Sequence, residues 1–447
     1  MHLVTKMNTP ICDFVKNYIS QNSKRLHMPG HKGCGLLGFE AFDITEIAGA
    51  DSLYEAEGII KESEQNASKL FGCDTFYSTE GSSHCIRAML YLALTFSGGK
   101  NKKIAAGRNA HKSFLTAAAL LDLSVDWLCG RGNNYLSLNL NATDIESYLS
   151  SCKERPIALY LTSPDYLGNR LNIKEIAAVC HKYGVLLLVD NAHGAYLKFL
   201  SNSEHPIDLG ADMCSDSAHK TLPVLTGGAY LQINKELDPF FKENAKAALS
   251  LFGSTSPSYL ILQSLDAANK YLCEFKSELN NFIAKLKKVK KSLVNSGFVL
   301  MENEPLKITV SAKAYGYLGF ELYDYLARKN LIAEFCDKDF ITFMFTPKNS
   351  DLDLKLLETA LLELPKRSAI ESAAPIFHLP PKRLSVRQAV FAKNETVDVK
   401  SALGKICGVP TVGCPPAVPI VMCGEEITES VIECFEYYGI KKCSVIL

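Results

Sequence analysis

The sequence lacks several features that would assign it to a common class. No window reaches roughly 18 uninterrupted apolar residues, so no membrane span is predicted. The 48 basic and 48 acidic residues cancel, so no net charge favours binding to nucleic acid or to an anionic membrane. No C-x-x-C pair and no G-x-x-x-x-G-K-[ST] loop occurs. We therefore expect no metal and no NTPase phosphate loop.

Residues 1–10 also lack a basic stretch followed by an apolar core, which is the pattern of an export signal. The 15 Cys are therefore expected to be reduced thiols of a cytoplasmic protein. With 447 residues, 47% hydrophobic and 21% charged, the chain is long enough for two or three domains with a sizeable core.

Short apolar runs alternate with amphipathic stretches between about residues 69 and 233. Residues 156–161 and 184–189 are nearly continuous apolar runs, typical of parallel strands buried on both faces, and a helical pattern starts after Asn172 between them. Further strands are predicted at 103–107, 125–128 and 227–233. The pattern predicts an α/β domain with a mostly parallel sheet and helices on both faces.

The second half of the chain has a different pattern. A long Lys- and Glu-rich helical stretch, 264–295, predicts a connector, and residues 307–364 mix strand and helix patterns. A proline-rich stretch then marks a terminal segment. We predict an N-terminal segment with the large domain at 1–263, a connector helix with a smaller α+β domain at 264–370, and a C-terminal domain at 371–447.

An Asp and a Lys about thirty residues apart carry the strongest chemical signal. Asp190 ends the apolar run 184–189, and Lys220 stands in the sequence SAHKT that follows another apolar stretch. A pyridoxal 5'-phosphate (PLP) site needs a Lys that forms a Schiff base with the aldehyde and an Asp that keeps the ring nitrogen protonated. Either residue alone also fits a structural reading, with Asp190 as a helix cap and Lys220 as a solvated lysine.

Two further motifs suit the same cofactor. The turn TEGSS at 79–83 precedes a helical run, so Gly81, Ser82 and Ser83 could bind a phosphate at a helix N-terminus, or Ser82 could simply cap the helix. Ser217 and His219, beside Lys220, could close the phosphate site from the other side. His111 follows the strand ending at Gly107 and could stack on a pyridine ring at the C-terminal edge of the sheet, or it is structural.

These motifs resemble those of the PLP-dependent ornithine/lysine/arginine decarboxylases, which have the aspartate aminotransferase fold (fold type I). The resemblance covers most of the first 260 residues and resumes near the C-terminus. It is carried by HMPGHKG (27–33), TEGSS (79–83), NAHKS (109–113), TSP (162–164), DNAHG (190–194), SAHKT (217–221), STSPSYL (254–260), CPPAVP (414–419) and GEEI (424–427).

The resemblance implies a role for each matching residue. Lys220 would bind the PLP aldehyde, Asp190 would pair with the ring nitrogen, and His111 would stack on the ring. His193 would lie near the ring oxygen or the reacting Cα. The phosphate would be held by Gly81, Ser82, Ser83, Ser217 and His219. Thr255 and Ser256 resemble a segment that reaches the phosphate of a neighbouring subunit, which implies a homodimer with shared active sites.

The function implied is decarboxylation of a basic amino acid, arginine or lysine before ornithine, in polyamine biosynthesis. Lys220 or His193 would return a proton to Cα. An aminotransferase, an aldolase-like lyase and a catalytically retired PLP-binding protein remain alternatives, because the cofactor residues do not choose which bond breaks. Arg328 is the only Arg between residues 298 and 364, which disfavours a site that clamps a substrate carboxylate.

The chain also departs from the family pattern. We expect no receiver-like domain before residue 27, because the chain resembles the short biosynthetic members. Residues 226–229, TGGA, stand where many relatives carry a Gln, and KICG at 405–408, Cys414 and Ala417 replace other usual residues. The acid that would bind the distal cation of the substrate is not identified by the motifs. Asp165 and Glu80, and also Asp51 and Glu55, are candidates.

Overall fold

The structure, a computed structural model, describes residues 7–130, 135–301, 304–410 and 416–447. Cys414 and Pro415 of the C-terminal motif lie outside these residues, as do the first six residues of the N-terminal segment. In the described ranges no helix is long and apolar enough to cross a bilayer. The helices are α1 (Pro10–Ser20), α2 (Ile59–Phe71), α3 (Ser82–Phe96), α4 (Lys112–Leu120), α5 (Ala142–Ser151), α6 (Ile173–Lys182), α7 (Ala218–Thr221), α8 (Pro239–Glu243), α9 (Ala245–Ser250), α10 (Tyr259–Leu272), α11 (Phe275–Asn295), α12 (Gly319–Ala327), α13 (Asp351–Leu362), α14 (Val386–Val390) and α15 (Glu429–Tyr437).

The strands form three sheets. They are β1 (Asp74–Ser78), β2 (Lys103–Gly107), β3 (Ser124–Leu128), β4 (Ala158–Thr162), β5 (Leu186–Asp190), β6 (Met213–Asp216), β7 (Ala229–Ile233), β8 (Lys307–Ser311), β9 (Phe335–Cys336), β10 (Phe340–Met344), β11 (Asn394–Asp398), β12 (Cys407–Val409) and β13 (Lys442–Ile446). The main sheet has the order β1-β7-β6-β5-β4-β2-β3, and the two small sheets have the orders β8-β10-β9 and β11-β13-β12.

The main sheet confirms the predicted fold class. β5 runs parallel to β6, and β2 runs parallel to β3 and β4, whereas β7 is antiparallel to β1 and β6. The predicted strands are present with ends shifted by a few residues at most, but β1 and β6 were not predicted. α6 starts as expected, because the Asn172 side chain accepts a hydrogen bond from the Glu175 backbone N–H.

The single connector helix predicted over 264–295 is wrong. The chain forms α10 and α11 with a turn at Cys273 and Glu274 between them. The second helix begins with Phe275, which is buried and packs edge-on against Phe199 with ring centroids 5.6 Å apart. The aromatic contact therefore fixes where α11 starts, and no proline or glycine marks that break in the sequence.

The chain divides into two compact units. One comprises Met1–Asn101 and Leu186–Glu278, and the other comprises Lys102–Val185 and Leu279–Leu447. In the second unit, a buried ion pair joins Arg108 Nη2 to Glu425 Oε2 at 2.6 Å, and the Arg108 guanidinium lies 5.4 Å from the ring centroid of Trp127. The domain boundaries proposed at residues 263 and 370 stay a prediction.

Candidate active site

Lys220 and His193 lie in direct contact in the first unit. Lys220 is in α7, which follows β6 after Ser217, and its Nζ lies 2.9 Å from Nε2 of His193, in the turn after β5. A 2.9 Å contact between an amine and an imidazole nitrogen allows a proton to pass between them. The sequence predicted both residues as catalytic, and the structure brings them together.

Asp190 lies at the end of the strand that leads to His193. β5 and β6 are parallel neighbours, and Asp190 pairs in register with Ser215. The carboxyl ends of these strands therefore meet at one edge of the sheet, where open α/β folds bind ligands. Asp190 is 2% exposed, and its Oδ1 accepts a hydrogen bond from the Ala192 backbone N–H at 3.2 Å. A buried carboxylate at this edge can hold a cationic ring nitrogen.

The predicted phosphate residues meet at the N-terminus of α3. Ser82 is the first residue of this 15-residue helix, and its Oγ accepts a hydrogen bond from Ser217 Oγ at 2.8 Å. Ser83 follows in the first helical turn, where backbone N–H groups and the helix dipole attract an anion. Gly81 has a φ of 74°, and a Cβ there would meet no atom within 4 Å, so a ligand can approach this backbone.

Two glycines that sequence analysis did not select hold this arrangement together. The Gly227 carbonyl accepts a hydrogen bond from the Gly81 N–H at 2.7 Å. The Gly228 carbonyl accepts from both the backbone N–H of His219, at 3.1 Å, and its Nδ1, at 3.0 Å. Gly227 has a φ of 100°, and a Cβ on it would lie 2.7 Å from the Thr79 carbonyl. The departure at 226–229 therefore has a structural role, although two adjacent glycines do not reveal which backbone groups they contact.

The segment with Thr255 and Ser256 lies beside the same turn. The Ser254 backbone N–H donates to Glu80 Oε1 at 2.5 Å, and Thr255 and Ser256 are exposed in this chain. Gly253 lies close to His84, whose Nε2 hydrogen-bonds to the Leu249 carbonyl. Glu80 therefore links the segment to the start of α3 while its side chain stays accessible.

His111 lies in the second unit, at the N-cap of α4. Its Nδ1 accepts a hydrogen bond from the Ser113 backbone N–H at 3.1 Å. This contact assigns the ring proton of the neutral form to Nε2. The ring is half-buried, and the hydrogen bond to the start of α4 fixes its orientation.

The carboxylates of the other candidate acids accept hydrogen bonds from within the protein. Asp165 is buried and accepts hydrogen bonds from Ser137 Oγ at 2.6 Å and from the Asn169 N–H at 2.9 Å, and its burial raises its pKa to about 6. The Asp51 carboxylate accepts backbone hydrogen bonds at the start of α2, including that of Gly58 at 2.8 Å. Glu55 is exposed and accepts from Ser52 Oγ at 2.7 Å.

The residues of the first unit fit PLP. The two hydroxyl groups and the helix N-terminus suit a phosphate dianion, and the open space at Gly81 leaves the backbone reachable. The buried carboxylate of Asp190 and the amine of Lys220 supply the two groups that the ring nitrogen and the aldehyde require.

Comparisons with known proteins agree with this fit. Residues 9–310 match the family described as Orn/Lys/Arg decarboxylase, major domain. An arginine decarboxylase of Bacillus subtilis (strain 168) is 30% identical over 462 residues, covering 95% of this chain and 92% of the relative. An arginine decarboxylase of Halalkalibacterium halodurans is 29% identical, covering 94% of this chain and 91% of the relative.

Solved structures show the same fold. The lysine decarboxylase of Francisella novicida superposes with a TM-score of 0.81 at 17% identity, over 99% of this chain and 82% of that one. Lysine decarboxylase A of Pseudomonas aeruginosa gives a TM-score of 0.80 at 18% identity, over 98% and 76% of the two chains. At these identities the likeness establishes the fold.

Proposed function

The chain belongs to the Orn/Lys/Arg decarboxylase family, and we propose that its substrate is arginine. It is a PLP-dependent amino-acid decarboxylase that acts on a basic amino acid. The choice of arginine is supported by several arginine decarboxylases that are 27–30% identical over more than nine-tenths of this chain. The observation that carries the chemistry is the contact between Lys220 and His193, in the turn that follows the buried Asp190.

The proposed reaction assigns a task to each residue. Bound PLP accepts the electron pair that remains when the α-carboxyl group leaves as CO2. Lys220 Nζ would hold the aldehyde, Asp190 would keep a proton on the ring nitrogen, and His111 would stack on the ring. The phosphate would be bound by the backbone at Gly81 and by Ser82, Ser83, Ser217 and His219.

The contact between Lys220 and His193 supports a route for the reprotonation of the substrate Cα. After CO2 departs, Cα needs one proton, and Lys220 Nζ can deliver it. His193 Nε2, 2.9 Å away, can replace that proton. This exchange supports roles for both residues as proton carriers.

A basic substrate also needs a carboxylate for its distal cation, since an unpaired buried cation would cost several kcal/mol. We assign this role to Glu80 rather than to Asp165, Asp51 or Glu55. Its side chain is exposed and directly precedes the Gly81–Ser82 turn. Asp165 accepts hydrogen bonds from Ser137 and Asn169, and Asp51 accepts several backbone N–H groups, whereas the described hydrogen bond to the Glu80 carboxylate is that of the Ser254 N–H.

The active form in this proposal is a homodimer in the cytoplasm, and its amine product enters polyamine biosynthesis. The dimer is supported by the resemblance of the segment with Thr255 and Ser256 to one that reaches a neighbouring subunit's phosphate, and by the exposure of both residues in this chain. The cellular role is tested by deleting the gene and measuring the intracellular polyamine pool, which should fall.

The deciding experiment incubates purified protein and PLP with arginine, lysine, ornithine and, as a control, leucine. CO2, amine and keto acid are measured together. We expect CO2 and amine from arginine in equal amounts, at a kcat/KM at least about tenfold above that for lysine. Keto acid as the main product would make the protein an aminotransferase. No CO2 from any basic amino acid would refute the proposed function.

A further inference from the structure

A completely buried carboxylate lies at the end of β6, one residue before Ser217. Asp216 Oδ1 accepts a hydrogen bond from Asn191 Nδ2 at 2.6 Å. Its Oδ2 accepts from Gln232 Nε2 at 2.7 Å and from His205 Nε2 at 3.0 Å. Among the described ion pairs, its partner is this histidine. Three donors from three parts of the chain therefore converge on one side chain.

Asn191 connects this carboxylate to the turn that carries Asp190 and His193. Its backbone N–H donates to the Ser215 carbonyl at 3.0 Å, and its own carbonyl accepts from the Gly194 N–H at 2.8 Å. A Cβ on Gly194 would lie 2.0 Å from Asn191 Oδ1. The turn is therefore packed directly on the Asn191 amide, and a shift of that amide would displace the turn.

The chain leaving Asp216 leads into the turn that carries Lys220. Ser217 follows directly, and its carbonyl accepts a hydrogen bond from the Lys220 N–H at 3.0 Å. The Asp216 side chain is therefore hydrogen-bonded to the turn of Asp190 and His193, and its backbone continues directly into the turn of Lys220. A misplacement of about 1 Å between reacting groups can cost on the order of 100-fold in rate.

We propose that Asp216 is a positioning residue of the decarboxylase: its hydrogen bond to Asn191 fixes the turn of Asp190 and His193 against the turn of Lys220. This inference rests on the proposed roles of Lys220, Asp190 and His193. A carboxylate suits the task because it accepts at both oxygens. An asparagine at position 216 would place its NH2 group against the N–H donor of Asn191 or against those of Gln232 and His205. Two donors that face each other cannot form a hydrogen bond.

The same residues could suggest a metal site, because ligand atoms of His205, Cys214 and Asp216 lie within 4.8 Å of one another. The hydrogen bonds argue against it. Asn191 and Gln232 occupy both oxygens of Asp216, and burial raises the pKa of the Cys214 thiol, which opposes the thiolate that a metal requires.

The test compares Asp216→Asn with Asp266→Asn. Asp266 is also completely buried in the same unit and accepts hydrogen bonds from Ser63 Oγ at 2.6 Å and from the Cys12 N–H at 3.0 Å, and none of its described hydrogen bonds goes to either functional turn. Both variants should lose thermal stability. Only Asp216→Asn should lower kcat, by about tenfold or more with a small change in KM, and shift the visible absorbance of the lysine-bound cofactor. Equal kcat and absorbance in the two variants would overturn the proposal.

A reciprocal exchange separates positioning from charge. The double variant combines Asn191→Asp with Asp216→Asn. It exchanges the hydrogen-bond donor and acceptor between positions 191 and 216. The new amide at position 216 can then donate to the new carboxylate at position 191 and still accept from Gln232 and His205. The double variant should recover most of the kcat lost by Asp216→Asn. Failure to recover would overturn the positioning role. If Asp216→Asn does not fold, Asn191→Ala must show the same loss of kcat.

Two controls distinguish a failure of the role proposed for Asp216 from a failure of the proposed function. Borohydride labelling of the wild-type protein is done first, and a label absent from Lys220 would refute the proposed function whatever Asp216 does. Metal analysis of the purified wild type comes next. One bound metal ion per chain that is lost in Asp216→Asn would overturn the positioning role in favour of a metal centre.

Discussion

Ser217 Oγ donates a hydrogen bond to Ser82 Oγ at 2.8 Å, although the two residues are 135 positions apart. The contact joins the end of β6 to the N-terminus of α3. Ser217, close to Lys220 in the chain, is therefore joined directly to Ser82, and in the proposed site this contact links the aldehyde-binding turn to the phosphate-binding turn within the first unit.

Lys220 should carry the cofactor covalently. Reduction of the PLP-loaded protein with borohydride should leave a phosphopyridoxyl label on Lys220, because its amine contacts His193 in the turn that follows Asp190. Peptide mapping by mass spectrometry locates the label, and Lys220→Ala serves as the unlabelled control. A label on another lysine would show that the site lies elsewhere.

Asp190→Asn should keep the covalent link and lose most of the activity. A neutral amide cannot hold the proton on the ring nitrogen, so kcat should fall by about 10^3-fold or more. The measurement is CO2 release from arginine. Asp212→Asn is a matched control, because Asp212 is also largely buried and accepts a hydrogen bond from the Leu187 N–H in β5. Near-normal turnover of Asp190→Asn would exclude it as the nitrogen partner.

Glu80→Gln should raise KM for arginine by roughly 10 to 1000-fold, which corresponds to about 1.4 to 4 kcal/mol of lost binding. The amide can still accept the hydrogen bond from the Ser254 N–H, so the local structure and the cofactor absorbance should be unchanged. Glu55→Gln, which removes another exposed carboxylate, should leave KM unaltered. An unchanged KM in Glu80→Gln would place the substrate acid elsewhere.

Asp165 should make stability depend on pH. Burial raises its folded-state pKa to about 6 from an ordinary value of 3.8. The folded protein therefore retains a proton that the unfolded chain releases, and this stabilising contribution is lost as pH rises from about 4 through 6. Asp165→Asn cannot ionise.

Between pH 4.5 and pH 7.5, the free energy of unfolding of the wild type should therefore fall by roughly 1 to 3 kcal/mol relative to that of Asp165→Asn. Urea unfolding of both proteins at the two pH values measures it. A difference that does not change with pH would mean that Asp165 ionises normally in the folded protein.

Shared active sites predict complementation between subunits. Thr255→Ala should weaken PLP retention without unfolding the chain, since Thr255 is exposed. In mixed dimers of Thr255→Ala and Lys220→Ala, one site would have both residues intact, so activity should reappear after subunit exchange. A monomer that stays fully active at high dilution would contradict the dimer.

The sequence predicted β5 with Asp190 at its end, but it did not predict β6, the strand that leads to Lys220. Asp190 and Lys220 each follow an apolar stretch, and parallel strands bring such ends to one edge of a sheet. The glycine contacts could not be derived in this way. Gly227 and Gly228 act through backbone carbonyls that receive N–H groups from Gly81 and His219, and backbone pairing between distant segments leaves no side-chain pattern.

The network around Asp216 was missed for a different reason. Its donors come from the turn after β5, from His205 and from β7, and β6 was not predicted as a strand. A carboxylate at the end of a short apolar run was the available signal. The break between α10 and α11 was missed because the helical periodicity continues across it, whereas the packing of Phe275 on Phe199 depends on tertiary structure.

Trp127, which packs against Arg108, provides an intrinsic fluorescence signal. Trp127 is the single tryptophan of the chain, and it belongs to the second unit, whereas Lys220 belongs to the first. Indole emission and the visible absorbance of a cofactor on Lys220 therefore report on different units. One denaturation experiment followed at both wavelengths will measure a midpoint for each unit, and coincident midpoints would indicate cooperative unfolding of the whole chain.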